Sequence, residues 1–197
     1  RESEYRWRFA IEGSGDGLWD WNVPESTVFF SPRWKEMLGF AEDEIGNDLN
    51  EWSGRVHPDD LLQVMADVQA HLDGTAPQYA SEHRVSCKDG TWKWILDRGL
   101  VISRDAAGQP LRMIGTHTDI TERKQAAEAL RESERRHRDL FDQANEGVII
   151  MSLEGELSEV NRAFAEMHGY TVDECKNMDI RRLDVLDERA LADRADV

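Results

Sequence analysis

Residues 79–124 read YASEHRVSCKDGTWKWILDRGLVISRDAAGQPLRMIGTHTDITERK. Three extended runs lie in this stretch: Tyr79–Cys87, Thr91–Ile102 and Leu111–Thr118. Lys88-Asp89-Gly90 between the first two is a hairpin turn signal, and Asp105–Gly108 is a second polar turn. Three long strands joined by two short turns predict an antiparallel meander. A long helix follows at once. It opens at Asp119-Ile120-Thr121-Glu122, where Asp119 can cap and Glu122 stands three residues on, a capping-box-like start.

Upstream, Leu18–Val23 and Thr27–Phe30 read as a hairpin turning at Pro24-Glu25-Ser26. Ser31-Pro32 starts a short helix over 32–38, with Trp34, Met37 and Leu38 as its apolar face and Gly39 as its stop. A second short helix is expected near 42–46. His57-Pro58-Asp59-Asp60 opens a longer one, with proline in the first turn and two acids at the positive end of the dipole. Leu61, Val64, Met65, Val68 and Leu72 follow at helical spacing, and Gly74 ends the run. Two strands, several small helices and three strands make an α+β fold with one antiparallel sheet.

The chain repeats itself. Arg1-Glu2-Ser3-Glu4 recurs as Arg131-Glu132-Ser133-Glu134. At the same spacing Gly17 meets Gly147, Glu36-Met37 meets Glu166-Met167, and Gly39 meets Gly169. Asn161 takes the capping place of Ser31, and an aromatic follows each stop, Phe40 and Tyr170. Four segments result: an amphipathic helix in 1–16, a complete domain over 17–119, a linker helix over 120–144, and the first half of a second domain over 145–197. In the linker Ala126, Leu130, Ser133, His137, Leu140 and Ala144 alternate at steps of four and three, a weak coiled-coil seam. The half-domain leaves Val148-Ile149-Ile150-Met151 without the strands that would cover them. It is therefore expected to fray or to borrow contacts from another chain.

The formal charge is −16 over 197 residues. An acidic surface repels phosphate backbones and anionic lipid, so no nucleic acid and no direct membrane contact are expected. Two cysteines far apart, Cys87 and Cys175, fit a reducing, cytoplasmic setting. No apolar run is long enough to span a bilayer, which leaves open a membrane anchor elsewhere in a larger parent protein. There is no phosphate loop, zinc-type helix or nucleophile elbow, so the chain reads as a non-enzyme.

The ordered set of segments resembles the PAS/PAC (Per-Arnt-Sim) sensory family, in the branch found in bacterial sensor kinases and diguanylate cyclases. The carriers are His57-Pro58-Asp59-Asp60, Lys88-Asp89-Gly90 with Trp94, Asp97-Arg98-Gly99, Asp105 with Gly108, and Gly115 followed by Asp119-Ile120-Thr121-Glu122-Arg123-Lys124. Residues from Phe141 to about Asp184 resemble the first half of the same family. The resemblance implies a five-stranded sheet flanked by helices and a ligand between sheet and helices. It also implies a parallel homodimer through the terminal and linker helices, and an output domain of kinase or cyclase type in the parent.

Alternation assigns faces to the strands. Tyr79, His83, Val85 and Cys87 are taken as inward, with Trp92, Trp94, Leu96, Arg98, Leu100 and Ile102, and with Leu111, Met113, Gly115 and His117. His83, Val85, Trp94, Leu96, Arg98 and His117 would then line a pocket. His117 stands where the resemblance places the flavin-contacting glutamine of light-sensing members. His83, Arg98 and His117 together suit a small anionic or carboxylate-bearing ligand. Asp119, Thr121, Glu122, Leu130, His137 and Leu140 are the expected relay. Flavin is a cofactor candidate on the strength of the tryptophans, and haem a weaker one with His71 as its axial ligand. The competing reading is a ligand-free dimerisation module.

Overall fold

A computed structural model describes residues 15–152 and 157–176. The expected helix in 1–16 lies almost wholly outside these residues. The chain divides into two compact units between Ala126 and Ala127, and each is taken by itself.

The first unit begins with β1 (Gly17–Asn22) and β2 (Thr27–Phe30), then α1 (Pro32–Met37), a 3-10 turn (Glu42–Glu44), α2 (Asn50–Ser53) and α3 (Pro58–Leu72). It continues with β3 (Tyr79–Ser86), β4 (Trp92–Arg104), β5 (Pro110–Asp119) and the start of α4 (Thr121–Gln143). The five strands form one antiparallel sheet in the order β2-β1-β5-β4-β3. The α+β expectation holds, and the strand bounds agree with it to within a few residues.

Local chemistry explains the boundaries. The Ser31 hydroxyl accepts from Trp34 N at 3.2 Å and from Leu18 N at 2.9 Å, so one side chain starts α1 and ties it to β1. At the head of α3, His57 Nδ1 accepts from Asp59 N at 3.2 Å. Asp60 accepts from the Arg84 guanidinium at 2.9 and 2.7 Å, pinning α3 onto β3. The β3–β4 hairpin closes with Cys87 N donating to Thr91 O at 2.8 Å across a loop that ends in Gly90 at φ 83°. A three-residue loop with a left-handed glycine is a standard hairpin solution.

That loop sets the register. It pairs His83 with Ile95 and Ser81 with Asp97. Directly opposed residues share a face, so Ile95, Asp97 and Gly99 turn inward with His83. Trp92, Trp94, Leu96, Arg98, Leu100 and Ile102 lie on the outer face, which corrects the sequence expectation for β4. The more apolar set of β4 is on the outside: Trp92, Leu100 and Ile102 are exposed, while Ile95 and Asp97 are buried. On β5, Met113, Gly115 and His117 are inward as expected, whereas Leu111 is exposed.

The core lies between the inner sheet face and α1–α3, and Trp19, Trp34, Leu38, Trp52, Val64, Tyr79, Val85, Ile95 and Met113 fill it. Gly99 and Gly115 oppose each other across β4 and β5. The Trp19 ring lies on both: a Cβ at Gly99 would come within 2.4 Å of it, and one at Gly115 within 2.1 Å. The missing side chains are the seat of that indole.

The second unit holds the rest of α4, then β6 (Ile149–Met151), β7 (Leu157–Val160), α5 (Arg162–His168) and α6 (Val172–Lys176). Its start repeats the capping arrangement of the first unit with a different side chain. Asn161 Oδ1 accepts from Val148 N at 2.8 Å and from Phe164 N at 2.9 Å, the same two amides by position that Ser31 holds. Gly169, like Gly39, ends its helix at positive φ. A small core of Val160, Ala165 and Cys175 results, while Val148, Ile150 and Met151 are exposed. The expectation that 145–197 frays falls partly on residues outside those described.

Gly115→Ala is expected to destabilise the first unit by about 1–3 kcal/mol, because the added methyl overpacks Trp19 and the Arg98 carbonyl. Urea unfolding followed by tryptophan fluorescence checks this, with Gly108→Ala, an open turn position, as the comparison for backbone strain alone.

Candidate functional site

Four strands bring polar groups to one buried point. Asp97, on β4, is 2% exposed. Its Oδ1 accepts from Trp19 Nε1 at 2.8 Å, and its Oδ2 accepts from the Tyr79 hydroxyl at 3.1 Å. His117 Nε2 stands 2.9 Å from the same Oδ2. The other nitrogen of His117 accepts from Trp34 Nε1 at 2.8 Å. His117 must therefore carry its proton on Nε2 and donate it to Asp97. A buried carboxylate is costly unless hydrogen-bonded, and here three donors from β1, β3 and β5 converge on it. Burial and the Asp97 charge also push the Tyr79 hydroxyl far above its usual range.

Beside this cluster is a cavity of about 30 Å³, walled by Trp19, Trp21, Phe30, Trp52, Tyr79 and Met113, with Asp97 and His117 at one side. It has room for roughly two or three water-sized atoms. Three side chains near it hold polar atoms without a partner: Trp21 Nε1, Trp52 Nε1, and both ring nitrogens of His83. His83 is fully buried, with its ring 5.9 Å from that of Trp52 and 6.1 Å from that of His117. Desolvation is the main reason its pKa is lowered to about 4.

Of the residues chosen from sequence, His83, Val85 and His117 are buried on the inner face. Trp94, Leu96 and Arg98 are not in the pocket. The convergence of Arg98 with two histidines does not occur, and the basis for an anionic ligand goes with it. The charged side chain in the site is an acid, Asp97, whose parity was misassigned. Trp19, Trp21, Trp52 and Tyr79 were missed as site residues. The pairing of His83 with Ile95, implied by the Lys88–Gly90 loop, was the signal that would have put Asp97 inside.

Neither cofactor candidate fits the residues as they stand. The cavity is far smaller than the few hundred cubic ångströms of a cofactor site, and Trp19, Trp21, Trp34 and Trp52 are packed as core. His71 Nδ1 meets Ala76 O at 2.9 Å while its Nε2 accepts from Val101 N at 3.0 Å. Both nitrogens are engaged, so His71 ties α3 to β4 instead of offering an axial position.

The helix root is built on the same strands. Ile120 N donates to Trp94 O at 2.9 Å, and Thr121 Oγ1 accepts from Trp94 N at 3.0 Å. Asp119 accepts from Thr121 N at 2.9 Å and pairs with Lys93 at 2.8 Å. Glu82 of β3 pairs with both Arg123 and Lys124, and Lys124 lies 4.6 Å over the Trp94 ring. Arg84 lies over the same ring at 5.5 Å. Trp94 and Leu96, misplaced as pocket residues, belong to this outer face.

An antiparallel sheet over a small cavity, with a helix rooted in two of its strands, is the architecture of the first unit. Comparison with known proteins gives its family. A family model described as a PAS fold matches residues 27–117, and a second, described as a PAS domain, matches 135–196. The crystal structure of a sensory box histidine kinase/response regulator from Burkholderia thailandensis is 36% identical, with a TM-score of 0.61, covering 68% of this chain and 99% of that one. The two-component sensor PprA of Pseudomonas aeruginosa is 32% identical over 144 residues, 73% of this chain. The probable diguanylate cyclase DgcE of Escherichia coli is 27% identical over 165 residues, 84% of this chain. The chain spans 15% of the length of each of these two relatives. The chain belongs to the PAS family and is a sensory module of signal transduction. No helix among the described residues is long and apolar enough to cross a membrane.

Acid should unfold the first unit in two stages. Unfolded His83 takes up a proton near pH 6.5, whereas the folded protein refuses it until about pH 4. Stability therefore falls as pH drops through that window, by up to about 3 kcal/mol. Asp60, held at about 2 by Arg84 against an ordinary 3.8, adds a further loss between about pH 4 and 2. Urea midpoints measured from pH 7 to 2 check this. His83→Phe is expected to flatten the upper stage and leave the lower one.

Proposed function

We propose that the inner cavity of the first unit takes a small molecule and that its occupancy is relayed through the root of α4. The observation that carries this is shared strands. Asp97 and the Trp94 anchor of the helix lie three residues apart on β4, and His117 and Asp119 lie two apart on β5. A shift at the Asp97 cluster moves the backbone that holds Ile120 and Thr121. Glu82, Arg123 and Lys124 then transmit the change to the first turn of α4. A two-state element of this kind responds only to a ligand that binds its two states differently.

The module acts as a homodimer through α4. None of the helix is buried within this one chain, and Leu130 and Leu140 are 61% and 67% exposed. They share the seam with Ala126, Ser133 and His137, and an exposed leucine seam is stabilised by a second copy. The relatives' names support a histidine kinase or diguanylate cyclase as the output in a larger parent protein, with this module in the cytoplasm. The free cysteines Cys87 and Cys175 agree with that compartment.

Two measurements test the reading. Asp97→Asn, or Trp34→Phe where the first does not fold, is expected to change hydrogen exchange at residues 120–126 although neither touches them. Unchanged exchange there in a folded variant contradicts the relay. In sedimentation equilibrium the chain is expected to run as a dimer, and Leu130→Glu with Leu140→Glu as a monomer. A monomeric unmodified chain refutes the dimer.

A further inference from the structure

A molecule that reaches the cavity must pass one of its walls. Most of the lining belongs to the sheet, whose strands are locked at Asp97. Val68 comes from α3, which is fastened at both ends. At its head Asp60 holds Arg84; at its tail His71 accepts from Val101 N and Leu72 O accepts from Arg104. Leu49 and Trp52 supply the remaining wall. They belong to residues 41–54, whose regular elements are the turn Glu42–Glu44 and the four-residue α2.

The attachments of this segment are those of a flap. Its ends lie together, because the Arg55 guanidinium stands 4.9 Å over the Phe40 ring. Just outside it the chain is tied down: Lys88 N donates to Leu38 O at 3.0 Å, and Ser86 N donates to Arg55 O at 2.9 Å. Compact surface loops of about 6–16 residues with their ends held close are frequently functional. Gly39, at φ 83°, and Gly54 stand at the two ends, where small residues absorb backbone rotation. Two main-chain bonds reach the β1–β2 hairpin at the edge of the sheet, Val28 N to Asn47 O at 2.8 Å and Leu49 N to Ser26 O at 3.4 Å. Trp52 Nε1 has no partner, so its indole leaves without breaking a hydrogen bond.

Lys35 of α1 holds the flap down. It is buried, and its ammonium donates to Glu42 O at 2.6 Å and to Ile45 O at 3.0 Å. No acid pairs with it among the described residues. A buried ammonium that meets backbone dipoles alone is costly to keep. On release it regains water, which offsets the two lost bonds, so this fastening is reversible in a way that apolar packing is not. A second fastening, Glu44 to Lys88 at 2.5 Å, lies at the surface. Resting on the reading that the cavity takes a small molecule, we propose that residues 41–54 are its gate and that Lys35 is the latch. Freed from Lys35, the segment turns about Gly39 and Gly54 and carries Leu49 and Trp52 off the void.

Xenon binds apolar cavities and is the probe. In the full chain, Lys35→Met keeps the length of the side chain and removes the latch. Hydrogen exchange at residues 47–54 is expected to quicken about tenfold, with residues 95–101 of β4 unchanged. Xenon, followed by exchange NMR, is expected to enter and leave faster. Glu44→Gln opens the surface fastening alone and is expected to act in the same direction by less; it serves if the first variant does not fold. Faster exchange at 47–54 with unchanged xenon rates overturns the gate and leaves the cavity as a binding site. Exchange that rises equally in β4, or not at all, overturns the latch. No bound xenon in either protein overturns the reading of the cavity itself.

Discussion

The carboxylate of Asp97 is the constraint on which the first unit depends. It sits on β4 and takes hydrogen bonds from Trp19 on β1, Tyr79 on β3 and His117 on β5. One side chain thus locks four of the five strands. A charge in this position is destabilising unless every donor is in place. The cost of any misregister is then high, because a slip of one residue turns Asp97 outward and leaves three buried donors unpaired. The network extends through His117 to Trp34, so α1 is held to the same point.

Glycine makes the network possible. Trp19 reaches Asp97 only because Gly99 and Gly115 leave its ring a bed on the sheet. The same economy recurs in both units. Gly17 leaves room for Trp34 as Gly147 leaves room for Phe164, and a capping side chain ties that helix to the preceding strand in each. These contacts fix where the helices stand over the sheet, and so fix the small size of the cavity between them. They also explain why aromatic side chains dominate it: the space over a pair of glycines is flat and wide.

Much of this was legible beforehand. The repeat, the order of strands, the caps at Ser31, His57 and Asn161, and the root of the long helix all follow from local rules that the structure obeys. The faces of β3 and β5 were legible too, since His83 and His117 lie among apolar neighbours. The face of β4 was not read correctly. Its outward set, Trp92, Trp94, Leu96, Leu100 and Ile102 with Arg98 among them, is more hydrophobic than the inward set of Ile95, Asp97, Gly99 and Val101. Hydropathy favours the wrong parity because Asp97 is matched by hydrogen bonds and Gly99 by a ring, and neither match is local in sequence. The turn length carried the right answer: a three-residue loop ending in Gly90 pairs Cys87 with Thr91 and so Ser81 with Asp97. Register from the turn outranks apolar count when the two disagree.

The sign of the site changes with that parity. An arginine inside would have made an anion receptor; an aspartate inside makes a buried carboxylate already held by three donors. The outer face meanwhile gains a role, since Trp94 between Arg84 and Lys124 joins the sheet to the helix that leaves it. The cavity and the Trp94 ring that meets the helix thus lie on opposite faces of β4.

The most direct measurement compares Asp97→Asn with Arg98→Ala by urea unfolding at neutral pH. If Asp97 is the buried hub, its substitution costs about 2–4 kcal/mol, while Arg98→Ala stays within about 0.5 kcal/mol. A large loss at Arg98 with little change at Asp97 would contradict the account and restore the opposite face of β4 to the core.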